Sequence, residues 1–257
     1  MIEQINDNSK AIIRLNRPEV KNAFNPKMIG EITKAFQSYG PVSDVRCVII
    51  EAAGPVFCAG ADLNWMQSLI ETDFHHNQKD AELLHGMFQS IWDCPVPVVC
   101  KVQGSAFGGA LGLMACSDYV IAEESVKMSF SEVKLGIAPS VISEFVMRKN
   151  IPSVVASWMM SGHIFTAHDA YHSGLVHKVV KMEEMNEVAD KYVKSVCDSG
   201  PEAVRATKKL IRDLEGTERS KVKDLTTALI ARLRVSNEGQ EGIKSFLEKR
   251  KPNWIQK

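Results

Sequence analysis

A strand, a glycine-rich turn and a small-residue helix follow one another in the middle of the chain, and this run constrains the fold most. Val96 to Val102 is apolar nearly throughout and is typical of a buried strand. Gly104, Gly108 and Gly109 interrupt it, and Ala110 to Cys116 carries side chains small enough for a tightly packed helix. The turn therefore places free backbone N–H groups at a helix start, where negative charge is favourable.

A glutamate follows this turn and lies among apolar neighbours. Glu132 stands between Phe130 and Val133 in the sequence, before Leu135. A backbone donor combined with a carboxylate on an apolar wall suits chemistry that passes through an enolate. The same pattern also suits an ordinary helix start that needs glycine for packing.

A second glycine turn, Phe57 to Leu63, precedes a short helix for which Asp62 is a natural N-cap. The two turns can each present one N–H group, from Ala61 and from Gly109. Two such groups converging on one carbonyl oxygen form an oxyanion hole, and loss of one donor typically costs about 3 kcal/mol in the transition state. Two unrelated turns would show the same pattern, so both interpretations stay open.

Strands alternate with helices over most of the chain, which predicts an α/β fold with a mostly parallel sheet. The predicted strands are Lys10 to Asn16, Val45 to Glu51, Val96 to Val102, Tyr119 to Ala122 and Leu175 to Val180. The predicted helices are Pro26 to Tyr39, His75 to Trp92, Val141 to Lys149, Ser153 to Met160 and Ala167 to Ser173. Beyond Met182 almost everything is predicted to be helical, so we divide the chain into a core, 1–200, and a helical region, 201–257.

Composition excludes several classes of function. The 257 residues contain 31 Lys+Arg and 31 Asp+Glu, and this zero net charge argues against a nucleic-acid partner. The sequence has no membrane-spanning apolar run and no leader-like segment. The cysteines show no C-x-x-C spacing, and His168 and His172 have no third ligand nearby. We expect a cytoplasmic protein with reduced cysteines and no metal.

The helical region 201–257 carries two further patterns. Its helices have broad apolar faces that one core is not expected to cover, which predicts an oligomer. A basic face is formed by four residues and is expected to be solvated, or to face a subunit or the phosphate of a ligand: Arg205, Lys208, Lys209 and Arg212.

Segments along nearly the whole chain resemble the enoyl-CoA hydratase (crotonase) family, in the same order. They are Leu15 to Pro18, Asn22 to Asn25, Phe57 to Leu63, Gly104 to Asp118, Glu132 to Pro139, Ser173 to Val176 and Phe246 to Arg250. The resemblance implies a spiral of ββα units with a helical C-terminal trimerisation region, assembled as a homotrimer or a dimer of trimers. It also implies an acyl-CoA thioester substrate, with CoA as part of the substrate and no separate cofactor.

The resemblance also implies roles for individual residues. The family's oxyanion-hole donors correspond to Ala61 and Gly109, and its retained acid/base corresponds to Glu132. The tail is implied to reach the CoA of a neighbouring subunit. The positions that correspond to CoA contacts are Lys21, Ala23, Ala59, Ala61, Phe246 and Lys249.

This sequence departs from the family pattern at a second catalytic position. Typical hydratases of the family carry another glutamate, and the corresponding residue here is Gly112. The glycine is expected to leave room for a branched or carboxylated acyl chain. Ser140, Ser143 and Glu144 replace part of the usual glycine-rich stretch and are candidates for holding water. Glu144 is more simply explained as a solvated helix residue.

Within the family, the closest resemblance is to methylglutaconyl-CoA hydratase-like members. It lies in Asp62 to Met66, Gly112 and Ala138 to Ser143. The leading hypothesis is therefore hydration of a 2-enoyl-CoA, such as 3-methylglutaconyl-CoA or a related branched substrate. One carboxylate can serve both proton transfers if the proton taken from water is the one returned to carbon. The alternatives are a Δ3,Δ2-enoyl-CoA isomerase that uses Glu132 alone, and a non-catalytic CoA-binding protein. The same oxyanion hole also allows a decarboxylase or a thioester hydrolase.

Overall fold

The computed structural model describes residues 1–7, 9–40 and 44–255. The strands are β1 Ile2–Asp7, β2 Lys10–Leu15, β3 Cys47–Ala52, β4 Val98–Val102, β5 Ala106–Phe107, β6 Tyr119–Glu123, β7 Lys127–Ser129, β8 Phe165–Thr166 and β9 Lys178–Val180. The helices are α1 Pro26–Gln37, α2 Leu63–Ser68, α3 Phe74–Trp92, α4 Ala110–Cys116, α5 Ser140–Lys149, α6 Pro152–Ser161, α7 Ala167–Ser173, α8 Met185–Asp198, α9 Pro201–Gly216, α10 Arg219–Val235 and α11 Asn237–Leu247.

A six-stranded sheet in the order β1-β2-β3-β4-β6-β9 forms the centre of the fold. β1 pairs with β2 in antiparallel fashion, and the other neighbours in this sheet are parallel. The predicted mostly parallel α/β architecture is therefore confirmed. Two features were not predicted, namely β1, whose sequence is mostly polar, and a small second sheet of β5, β7 and β8, whose strands have only two or three residues.

Both faces of the large sheet are covered, which explains its nearly continuous apolar strands. Ile13, Ile50 and Cys100 belong to the larger cluster, which also contains the buried residues of α1, α3 and α4. On the opposite face, Ile49 and Val99 pack with the apolar side of α8. Alternating residues of one strand thus enter two separate cores.

The loops that follow adjacent parallel strands meet at one end of this sheet. A Cβ atom at Gly104 would overlap the carbonyl oxygen of Pro55, so the chain after β4 lies directly on the loop after β3. A single bridge joins Cys58 to Ala106 in the same region. Only a residue without a side chain permits this approach, and the approach brings the two glycine turns together.

Helix α9 is anchored in the core, which corrects the expectation for two residues of its basic face, while Lys209 is exposed as expected. Lys208 is buried, and its Nζ donates to the Val96 carbonyl at 2.7 Å and contacts the Asp118 carboxylate at 2.5 Å. The Arg212 guanidinium lies 4.8 Å from the centre of the Trp92 ring. These two side chains connect α9 to the core rather than facing solvent or CoA. The division of the chain at residue 200 stays a prediction.

Helices α10 and α11 contribute apolar side chains to the surface. No residue of α10 is buried. On α11, Ile243, Phe246 and Leu247 are largely exposed. The helical C-terminal region is therefore confirmed as a structural element, and its exposed apolar side chains are consistent with the predicted oligomer.

The close approach at Gly104 makes a prediction about stability. Gly104→Ala should lower the free energy of unfolding by at least about 1–3 kcal/mol, the usual cost of overpacking, because the obstacle is backbone. Gly30→Ala in α1 is the matched control, since a Cβ there meets nothing within 4 Å. It should be neutral or stabilising by up to about 1 kcal/mol. Urea unfolding of both variants is the measurement, and equal effects would contradict the packing account.

Candidate active site

Two chain segments run side by side at the end of the sheet and form one wall of the candidate site. The Phe24 amide donates to the Gly60 carbonyl at 2.7 Å, and the Asp62 amide donates to the Phe24 carbonyl at 2.8 Å. The Ala59 amide donates to the Lys21 carbonyl at 3.0 Å. Residues 21–24 and 59–62 are therefore held parallel, and Ala61 stands in the middle of the second segment.

The second glycine turn packs against this wall through backbone atoms. Gly60 has φ +89°, and a Cβ there would lie 3.0 Å from the Phe107 carbonyl oxygen. The Phe107 amide donates to the Cys58 carbonyl at 3.0 Å. A Cβ at Gly109 would in turn lie 3.2 Å from the Phe24 ring. The two turns, which the sequence left as separate features, are thus neighbours in space.

The backbone amides of Ala61 and Gly109 are available to a ligand. In the part of the chain that the structure describes, neither N–H group has a hydrogen-bond acceptor within the protein. The Gly108 amide, by contrast, donates to the Ser129 carbonyl at 3.0 Å. Gly109 is the N-cap of α4, where the unpaired amides of a helix start favour negative charge. Free donors in adjoining turns are the components of an oxyanion hole.

Glu132 lies against the second turn. It belongs to a 3₁₀ turn over Ser131–Leu135, and its Oε1 lies 3.0 Å from the Cβ position of Gly108, which has φ +53°. Its Oε2 is buried and has no hydrogen-bond partner among the described residues. Burial raises the pKa of Glu132 above its ordinary value, because the charged form loses hydration. A carboxylate with one unpartnered oxygen and a raised pKa is suited to accept and return a proton.

The predicted CoA contacts fall into two groups. Lys21, Ala23, Ala59 and Ala61 all lie on the two paired segments, and Lys21 is exposed in the left-handed region with φ 54°. Phe246 and Lys249, by contrast, lie at the end of α11, which packs against α9 and α10. Phe246 is 82% exposed. Its ring is therefore not part of a packed site within one chain.

The space expected beside Gly112 is filled, so that expectation was wrong. A Cβ at Gly112 would lie 2.6 Å from Ile142 Cγ2 and 2.6 Å from Phe88 Cε1. The glycine allows α4 to pack closely against α3 and α5, and it leaves no pocket for an acyl branch. A glutamate placed there would have to displace two apolar side chains.

The polar residues of α5 are engaged elsewhere. Glu144 is 43% exposed and pairs with Arg148 at 3.1 Å and with His85 at 3.4 Å. Ser143 Oγ donates to the Ser140 carbonyl at 2.7 Å, and Ser140 is exposed at the start of the helix. These contacts fit the simpler explanation of Glu144 as a solvated helix residue. Whether either serine holds water stays a prediction.

Two buried polar residues were not assigned roles from the sequence. Asn22 is fully buried with φ 56°, and its side-chain amide donates to the Ala53 and Val56 carbonyls at 2.8 and 2.9 Å. Arg17 forms an ion pair with Asp62 at 2.8 Å. The motifs around both residues were noted only as a resemblance. Local spacing gives no sign that Arg17 reaches a residue so far along the chain.

A cysteine nucleophile at this site is disfavoured. Cys58 is completely buried, and burial raises the pKa of its thiol to about 12. The thiolate, which is the reactive form, is therefore scarce at neutral pH.

Among the described residues, no group of three His, Cys, Asp or Glu side chains is arranged to hold a metal ion. In the same part of the chain, no helix is long and apolar enough to cross a bilayer.

Comparison with known proteins agrees with this geometry. The sequence model of the enoyl-CoA hydratase/isomerase family matches residues 6–257. The chain belongs to the enoyl-CoA hydratase/isomerase family. A crystal structure of an enoyl-CoA hydratase from Shewanella pealeana is 34% identical, with a TM-score of 0.94 over 98% of this chain and 95% of that one. The predicted crotonase-like fold is therefore confirmed.

Curated family members carry names for both of the hypothesised reactions. A crotonyl-CoA hydratase from Syntrophomonas wolfei is 30% identical, covering 96% of this chain and 95% of the relative. A trans-2-decenoyl-[acyl-carrier-protein] isomerase from Streptococcus mutans is 28% identical, covering 98% of this chain and 96% of the relative. Family membership supports an enzyme of enoyl thioesters and leaves hydratase and isomerase both open.

The environment of Glu132 predicts a dependence of stability on pH. Because the folded-state pKa is raised, the contribution of this carboxyl is fully present below its unfolded pKa of about 4.3 and is lost as the pH rises through the folded pKa. Glu132→Gln removes the ionised form, so the variant should be more stable than the wild type at pH 8. The difference should shrink toward pH 4, as measured by urea unfolding across this range.

Glu187→Gln on α8 is the control for this pH series. Hydrogen bonding to Lys191 lowers the pKa of the exposed Glu187 carboxyl, so its small contribution is present above the unfolded pKa and lost as the pH falls. At pH 8 the free energy of unfolding should therefore be higher than that of the wild type for Glu132→Gln and slightly lower for Glu187→Gln. A Glu132→Gln variant less stable than the wild type at pH 8 would show that the carboxylate is paired in the fold.

Proposed function

We propose that the protein adds water across the double bond of a 2-enoyl-CoA, with Glu132 as the single acid/base. The observation that carries this proposal is the buried, unpartnered Oε2 of Glu132 beside the Gly108 turn, next to the free amide of Gly109. The apposed Ala61 amide supplies a second donor. A thioester carbonyl oxygen bound to both amides would be polarised toward an enolate.

The reaction then needs one carboxylate and one water molecule. The Glu132 carboxylate takes a proton from water as the water oxygen bonds to C3 of the enoyl group. The double-bond electrons move to the thioester oxygen, where the two N–H groups stabilise the enolate. The protonated Glu132 then returns its proton to C2, and the carbonyl forms again. The net change is addition of one water molecule.

Isomerisation is the second candidate, and one observation favours it. The position of the family's other glutamate is occupied here by apolar packing between Gly112, Phe88 and Ile142, so no second carboxylate is available there to orient water. Isomerisation of a 3-enoyl-CoA needs only one carboxylate. Glu132 would remove a proton from C2 and return it to C4 through a dienolate. The same amides would stabilise that intermediate.

The acyl group and the assembly belong to the proposal as well. Sequence resemblance supports 3-methylglutaconyl-CoA or a related branched substrate, and it lies in Asp62 to Met66 and Ala138 to Ser143. The filled space at Gly112 gives that choice of substrate no support. We also propose a homotrimer or a dimer of trimers in which Phe246 and Lys249 complete the CoA site of a neighbouring subunit. The exposure of Phe246 supports this arrangement.

A substrate panel tests the reaction. Purified protein should lower the conjugated-thioester absorbance of crotonyl-CoA and 3-methylglutaconyl-CoA, whereas an isomerase would raise it with a 3-enoyl-CoA. Glu132→Gln should reduce kcat by at least about 10²-fold, because general acid–base catalysis typically contributes 10²–10⁴-fold. The apparent pKa on the acid side of the pH profile of kcat/KM should lie above the ordinary glutamate range, since burial raises the pKa of Glu132.

The control variant for this panel is Glu187→Gln, exposed on α8, which should keep wild-type turnover. Retention of more than about a tenth of the rate by Glu132→Gln would remove Glu132 from the acid/base role. A wild type that binds these thioesters without converting any of them would point to the non-catalytic alternative.

The proposed tail contact has its own test. Phe246→Ala should raise KM for a CoA thioester by at least about threefold with little change in kcat, because it removes a contact made equally in ground and transition states. The same variant should leave the kinetics of the N-acetylcysteamine thioester of the same acyl group unchanged, since that substrate lacks the rest of CoA. Equal losses with both substrates would contradict a CoA contact. Light scattering should show an unchanged oligomer.

A further inference from the structure

A buried ion pair lies beside one of the two free amides. Arg17 NH2 contacts Asp62 Oδ2 at 2.8 Å, and the two side chains are only 12% and 8% exposed. Asp62 directly follows Ala61, whose N–H has no acceptor in the described part of the chain. One member of the ion pair is therefore the direct chain neighbour of a candidate oxyanion donor.

The pair connects both segments of the site wall. Arg17 NH1 donates to the Ala23 carbonyl at 2.6 Å, and the Arg17 amide donates to Asn22 Oδ1 at 2.8 Å. The other Asp62 oxygen accepts from the Asn64 amide at 2.9 Å, at the start of α2. Each member of the pair thus also holds loop backbone, Arg17 through the Ala23 carbonyl and Asp62 through the Asn64 amide.

Hydrogen bonds on both sides of Ala61 fix the direction of its N–H. Ala61 is flanked by the Gly60 carbonyl and the Asp62 amide, and both are bonded to Phe24. The orientation of a peptide N–H depends on the torsions of its neighbours, so a displaced Asp62 would turn the Ala61 amide. An oxyanion donor is effective only when it already points to where the charge develops. Small misplacements in such a site can cost about 10²-fold in rate.

Charge gives the pair a second effect on the same amide. A lone carboxylate at Asp62 would repel an enolate oxygen held by the adjacent Ala61 N–H. The Arg17 guanidinium neutralises it, and hydrogen bonding to Arg17 lowers the pKa of the Asp62 carboxyl. Removing one member of a buried pair leaves the other uncompensated, so neither side chain is expendable.

We infer that Arg17 and Asp62 are positioning residues for the oxyanion donor Ala61, acting on the transition state rather than on CoA binding. The inference rests on the proposed function, since it requires an enolate at the two amides. It extends the working site from the groups that would touch the substrate to the ion pair that aligns one of them.

Asp62→Asn is the primary variant. The substitution keeps an oxygen that can accept from the Asn64 amide and removes the charge that holds Arg17. We expect kcat to fall at least tenfold while KM for the CoA thioester stays within about threefold. The carbonyl stretching frequency of the bound thioester, measured by isotope-edited infrared spectroscopy, should move back toward its value in water. A loss of general stability would not produce that spectroscopic change.

Glu51→Gln is the matched control. Glu51 also joins an ion-paired cluster between strands, with Arg14 at 2.7 Å and Lys101 at 2.6 Å. The same carboxylate-to-amide change there should leave kcat within twofold and the carbonyl frequency unchanged. Arg17→Lys is the second variant if Asp62→Asn fails to fold, because it keeps the positive charge but not the two-pronged geometry. It should also lower kcat with little change in KM.

The outcomes separate this inference from the proposed function. Wild-type turnover together with an unchanged kcat and carbonyl frequency in both pair variants would overturn the positioning role alone. A raised KM with normal kcat would overturn it too, because the pair would then serve CoA binding. If the wild type neither turns over an enoyl-CoA nor shifts its carbonyl frequency, the proposed function fails and the inference fails with it.

Discussion

Backbone packing between two glycine turns is the constraint on which the site depends. Gly60 approaches the Phe107 carbonyl so closely that its Cβ position lies 3.0 Å from that oxygen, and Gly108 leaves the corresponding space to the Glu132 carboxylate. Both positions have a positive φ and little room for a Cβ atom, and both features favour glycine. The two free donors are main-chain N–H groups. Their placement therefore follows from how the loops 21–24, 57–62 and 104–109 pack at the end of the sheet.

The site carries two carboxylates whose energetic situations are opposite. Asp62 is compensated by Arg17 and by an amide of α2, so its charge stabilises the loop structure. Glu132 has a buried oxygen without a partner, and ionising it costs folding free energy. The extensive core formed against both faces of the sheet can offset that cost. A strained or unpaired group of this kind is more typical of functional sites than of ordinary packing.

Periodicity predicted α1 and α3 closely because their sequences repeat with the helical period and one face of each is buried. The turns at Gly60 and Gly108 and the carboxylate at Glu132 were also predicted, because each depends on local chemistry. The two errors and the one omission share a different cause. The burial of Lys208, the filled space at Gly112 and the pairing of Arg17 with Asp62 all depend on residues distant in sequence.

The packing around Gly112 narrows what the chemistry can be. With Phe88 and Ile142 in that space, no second carboxylate lies at Gly112, and in both proposed reactions Glu132 performs the two proton transfers. Hydration and isomerisation then share the same oxyanion donors, the same enolate-type intermediate and the same Glu132 oxygen. They differ in what lies beside that oxygen, which is a water molecule for hydration and C4 of the acyl chain for isomerisation. We therefore expect selection between them to depend on how the acyl chain is seated against Oε2, and on whether Ser140 or Ser143 holds a water molecule there.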